Sequence, residues 1–107
     1  MLFFWLLVGH GLMDYPLQGD FLARAKNHRA PIPGVPWMHG LFWHALLHGG
    51  AVAFVTQSVA FGLSETVAHM VIDYLKCDGR FGGRPERAFH IDQALHVACK
   101  VLWGAAA

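Results

Sequence analysis

Apolar residues fall along this chain in four long runs, separated by short stretches rich in proline, glycine and arginine. The first run, residues 1–15, is almost wholly apolar and closes on Asp14-Tyr15-Pro16. At a rise of about 1.5 Å per residue it makes a helix of roughly 22 Å, short for a membrane span. Pro16 kinks or ends it. Residues 17–29 are mixed, with Leu17, Phe21, Leu22 and Ala25 at helical spacing. They are expected to continue as a short helix lying along an interface. Residues 30–36 (APIPGVP) carry three prolines and a glycine and break the chain.

Residues 37–76 contain only three formally charged side chains, Glu65, Asp73 and Lys76. Forty residues suit two spans and a tight turn. Thr56-Gln57-Ser58 is one candidate turn. Gly62-Leu63-Ser64-Glu65, with Ser64 as N-cap, is the other. Residues 77–87 (CDGRFGGRPER) form a polar loop, and residues 88–103 make the fourth run before a trailing GAAA. The expected fold is all-α: a four-helix transmembrane bundle, one domain over residues 1–107, with a short interfacial helix after the first.

Composition supports the membrane reading. Of 107 residues, 55% are hydrophobic and 14% charged, with a formal net charge of +1. The mean hydropathy is +0.38. Soluble domains carry about 25% charged residues. The lack of a basic excess argues against a nucleic-acid partner. The N-terminal run has neither a basic leader nor a small-residue cleavage site, so it is expected to be a retained helix. Arg24, Lys26 and Arg29 lie in the first connection. Arg80, Arg84 and Arg87 lie in the third, with Lys76 at its edge, and the second has no basic residue. The positive-inside rule then puts both termini outside a bacterial inner membrane. Cys77 and Cys99 form no C-x-x-C pair and read as two unpaired small residues.

Eight histidines stand against fifteen formally charged residues. Each apolar run holds one pair of metal-ligand types four residues apart: His10/Asp14, His44/His48, His69/Asp73 and Asp92/His96. Residues i and i+4 share a helix face, so each pair can aim at one point in a bundle core. Depth agrees. On helices of alternating direction the pairs stack in two layers, one of four histidines and one of three aspartates with His44. An unpaired aspartate inside a membrane helix costs several kcal/mol. One or two divalent ions (Zn, Mn or Fe) would compensate several at once. Lys76 shares the His69/Asp73 face and is a candidate to neutralise a carboxylate or to meet an anionic substrate at the cytoplasmic mouth. Gln18, four residues after Asp14, is a candidate to orient it. Gln93 points about 100° away from Asp92. His28, His39 and His90 fall outside the pattern and read as solvated or interfacial. Asp20 and Lys26 read as surface residues, and the four tryptophans as lipid-facing or interfacial anchors.

The blocks H10-x3-D14-Y-P-L-Q18, H44-x3-H48, H69-x3-D73-Y-x-K76 and F89-x2-D92-Q93-x2-H96 resemble a family of small bacterial and bacteriophage membrane proteins of unknown function. A lysine downstream of the first block, as Lys26 is here, belongs to the resemblance. It implies several membrane helices, a bacterial or phage source, and no established activity. H-x-x-x-D pairs on membrane helices are also similar to those of membrane-bound metal-dependent hydrolases. Three functions follow as expectations. The first is a membrane metalloprotein hydrolysing a phosphate-containing substrate near the cytoplasmic face. The second is a non-enzymatic membrane protein acting on a host membrane complex. The third is an ion- or proton-conducting bundle.

Overall fold

A computed structural model describes residues 1–15 and 18–107, with the backbone alone for Asp20. The expectations placed on Pro16, Leu17 and the Asp20 side chain lie outside these described residues. The chain forms α1 (Leu2–Asp14), α2 (Gly19–Ala25), α3 (Trp37–Thr56), α4 (Val59–Cys77) and α5 (Pro85–Ala106), with no strand among the described residues. The fold is therefore all-α. Four long helices pack together, and the fifth is the short piece expected after the first. α3 and α4 form a tight antiparallel hairpin, α1 packs on α3 and α5, and α5 closes against α4. No described helix is long and apolar enough to cross a membrane.

Of the two candidate turns, the chain uses Thr56-Gln57-Ser58. Gln57 adopts a left-handed conformation (φ 56°), and its N–H bonds to the Ala53 carbonyl. Ser58 caps α4, its hydroxyl accepting from the Phe61 N–H at 3.3 Å. The Gly62–Glu65 alternative fails because those residues are needed inside α4. Ser64 donates to the Ala60 carbonyl at 2.9 Å instead of capping. α5 begins at Pro85, three residues before the apolar run. A proline at the first helical position loses no hydrogen bond the helix needs, and Glu86 suits the positive end of the helix dipole.

Small residues set how closely the hairpin packs. A Cβ on Gly49 would lie 1.9 Å from Thr66 Oγ1 and 2.5 Å from the Gly62 carbonyl oxygen. At Gly40 it would lie 2.7 Å from the Ala25 backbone, which seats α2 against α3. The first connection docks on the third through Asp78. Its carboxylate accepts from Arg29 Nη2 and Arg80 Nε, both at 2.8 Å, and lies 3.0 Å from His28 Nε2. The Arg80, His28 and Arg29 hydrogen bonds hold this carboxyl well below the usual range. The clasp is thus complete above about pH 4 and loosens only in strong acid. His28, expected in solvent, is stacked on Tyr74 with centroids 4.2 Å apart.

Burial is inverted relative to a soluble domain. Among the described residues, the buried hydrophobic side chains are Leu6, Ala25, Leu41, Ala45, Val52 and Ile72. Ten polar or charged residues are buried, including five histidines, Asp73, Asp92, Glu65 and Lys100. Phe4, Trp5, Phe21, Trp43, Phe54, Val67 and Leu102 are meanwhile exposed.

Replacing Gly49 by alanine should destabilise the protein by about 1–3 kcal/mol, because the clash with the Gly62 carbonyl cannot be relieved by a side-chain rotation. Gly50 has nothing within 4 Å of its Cβ position, so G50A should be neutral or slightly stabilising. Thermal unfolding of the two variants side by side checks this.

Candidate metal centre

Helical spacing brings all eight paired residues to one place. His10, His48, His69 and His96 form a ring of imidazoles, with centroids 3.8 Å apart for His48–His69 and 4.0 Å for His69–His96. His10 completes it at 5.2 Å from His48 and 5.4 Å from His96. One turn along lie Asp14, Asp73, Asp92 and His44. Asp14 Oδ1 is 3.3 Å from His44 Nε2 and 3.2 Å from His48 Nε2. Asp73 Oδ2 is 3.4 Å from His44 Nε2 and 3.3 Å from His69 Nε2. Asp73 Oδ1 accepts from His96 Nε2 at 3.1 Å, and Asp92 Oδ1 lies 3.3 Å from the same nitrogen.

Among the described residues three groups of ligand atoms are each gathered within 4.8 Å: Asp14, His44, His48 and His69; Asp73, Asp92 and His96; and Glu65, His69 and His96, whose Glu65 is already taken up by Lys100 and Trp103. A four-coordinate ion with bonds of about 2.0–2.1 Å holds its ligand atoms roughly 3.3–3.4 Å apart. The His44 and His69 Nε2 atoms are 3.2 Å apart, and both the His44 and His48 contacts to Asp14 match that edge. His48 Nε2 and Asp92 Oδ1 are buried without a hydrogen-bond partner despite these short distances. The Nδ1 atoms of His10, His28, His44, His48 and His96 are likewise buried without a partner. His10 belongs to none of the three groups. Its Nε2 donates to Gln93 Oε1 at 2.9 Å.

Other side chains behave differently from the sequence expectations. Gln93 is a bridge: its amide donates to Asp14 Oδ2 at 2.8 Å and to Asp92 Oδ2 at 3.1 Å. Adjacency to Asp92 turned it away on its own helix but toward α1, where Asp14 waits. Gln18 reaches the main-chain carbonyl of Asp14 at 3.0 Å, not its carboxylate. Lys26, expected at the surface, donates to Gln18 Oε1 at 2.8 Å and to Asp73 Oδ2 at 3.2 Å. Lys76 lies 3.7 Å from Asp92 Oδ2, one-third exposed, with its ammonium over the Phe89 ring.

Beyond the histidine ring sits a cluster the pairs did not include. Glu65 accepts from His69 Nδ1 at 3.3 Å, from Trp103 Nε1 at 2.7 Å, and from Lys100 Nζ. Trp103 is therefore a core donor, unlike exposed Trp5 and Trp43. The signal for this cluster was present. Glu65 is four residues before His69, and Lys100 four after His96, so two of the i,i+4 pairs are really three-residue ladders. Removing Glu65 alone strands a buried ammonium and two N–H donors. E65L should cost about 3–5 kcal/mol, and E65L/K100M should recover most of it. Chemical denaturation of both variants measures the difference.

The cluster itself is closed. The larger cavities lie elsewhere, such as one of about 510 Å³ lined by Trp5, Val8, Leu12, Leu47 and Phe54 between α1 and α3.

No curated protein and no solved structure matches the chain. One family does, over residues 2–105, so nearly every element described above lies within the match. The chain belongs to that family, described as "Protein of unknown function (DUF3307)".

Proposed function

We propose that this is a membrane-embedded metal-binding protein, whose core holds a divalent transition ion (Zn, Mn or Fe) at Asp14, His44, His48 and His69. One observation carries the reading. Four carboxylates lie in or beside the core, and three have a lysine: Asp73 has Lys26, Asp92 has Lys76 and Glu65 has Lys100. Asp14 has no lysine partner among the described residues and is instead approached by His44 and His48. Neutral imidazoles around a lone buried carboxylate leave a charge that a cation balances. His69 Nδ1 donates to Glu65, the outer hydrogen bond that orients a metal-bound histidine.

The membrane part of the reading rests on the inverted burial. α1 and α2, of 13 and 7 residues, are too short to span, and the three longer helices carry inward-facing polar residues that lower their averages. In the bundle those residues point inward, and the lipid side would meet phenylalanine, tryptophan, leucine and valine. Arg24 and Arg29 share one end of the bundle with Arg80 and the start of α5, through the Asp78 clasp. That end would face the cytoplasm of a bacterial host. The Lys26 and Lys76 ammoniums beside Asp73 and Asp92 at that end support catalysis on an anionic, phosphate-containing substrate, with a bound ion supplying an activated water.

Elemental analysis of tag-free protein should find a transition metal, and H48A should lose affinity by about tenfold or more while staying folded. Protein that is fully folded in chelator and carries only trace metal would overturn the metal reading. Retention in the membrane fraction after a high-pH carbonate wash is the expected outcome for the membrane reading. Release into the supernatant would overturn it without touching the metal result.

A further inference from the structure

We infer that the centre is dinuclear, with Asp73 as the bridging carboxylate and a second, oxygen-preferring cation held by Asp73, Asp92 and His96. The inference rests on the first metal site proposed above and adds a second site of different chemistry. The two oxygens of Asp73 face different ligand groups. Oδ2 lies against His44 and His69 at 3.4 and 3.3 Å, and Oδ1 lies against His96 at 3.1 Å. A carboxylate placed so can ligate one ion through each oxygen.

The second group has its own evidence. Asp92 is 3% exposed, and its Oδ1 has no hydrogen-bond partner although it lies 3.3 Å from His96 Nε2. The lysine and glutamine partners of both aspartates sit on the far oxygens, while His96 Nε2, hydrogen-bonded to Asp73 Oδ1 at 3.1 Å, gives up its proton to ligate. Lys26 is on Asp73 Oδ2, and Lys76 and Gln93 are on Asp92 Oδ2. The two Oδ1 atoms are thus left facing the same imidazole. No lysine has to leave for a cation to enter between them. Two carboxylate oxygens and one imidazole suit Mn²⁺ or Fe²⁺, whereas three imidazoles with Asp14 and the Asp73 bridge suit Zn²⁺. Gln93, bonded to both Asp14 and Asp92, ties the two groups at a fixed separation. With both ions bound and the lysines in place, the centre carries excess positive charge, which an anionic substrate would balance.

The test is metal stoichiometry on tag-free protein in detergent, stripped with chelator, loaded with one equivalent of Zn²⁺ and titrated with Mn²⁺ by electron paramagnetic resonance. A tightly bound Mn²⁺ is expected beside the zinc. D92N should weaken that Mn²⁺ by about tenfold or more and leave the zinc in place. H48A should do the reverse. Because D92N could fail to fold, wild-type protein loaded with Mn²⁺ alone gives an independent readout. An exchange-coupled pair is expected, and an isolated single-ion spectrum at saturation would overturn the dinuclear centre. Zinc bound with no tight Mn²⁺ overturns it while leaving the first site standing. Binding of neither ion overturns both.

Discussion

Three carboxylates, five histidines and a lysine buried inside an apolar shell, with Asp14 at its edge, are the constraint from which the rest of this structure follows. Each such charge, if alone, would cost several kcal/mol in a medium without water. The helices therefore cannot pack as ordinary amphipathic rods with leucine inside. They pack so that the carboxylates meet polar partners: Asp73 with His96, Asp14 with Gln93, Glu65 with Lys100 and Trp103. Apolar residues, displaced from the centre, cover the outside.

That requirement also explains the backbone. Imidazole and carboxylate side chains are short, and their contacts demand that helix axes come close. Gly49 and Gly62 provide this between α3 and α4, and Gly40 with Ala25 provides it for α2. The short α2 looks dispensable as a packing element, but it ends at Lys26, whose ammonium reaches Asp73. The loop that follows is held by the Asp78 clasp, so the lysine's approach is fixed from both sides.

The polar core divides into parts of different character. Glu65, Lys100 and Trp103 satisfy one another and leave nothing open, which is how a structural network behaves. The groups around Asp14 and around Asp92 do leave atoms open, at His48 Nε2 and Asp92 Oδ1. His69 stands at the junction, one ring nitrogen toward each part.

Periodicity alone located the four long helices and their eight paired residues, because an i,i+4 spacing on a helix dictates a common face whatever the neighbours are. The same rule, carried one turn further, contained Glu65 and Lys100. It could not contain Lys26, Gln93, His28 or Trp103. Lys26 reaches the core across 47 residues of sequence. Gln93 points off its own helix's polar face and becomes central only because α1 lies there. The choice of the Gln57 turn was likewise settled by packing, since Gly62 was needed against Gly49. Sequence determined which faces are polar. Only the tertiary structure decided which polar atoms share a point, because that depends on helix rotation and separation, which spacing along one chain does not specify.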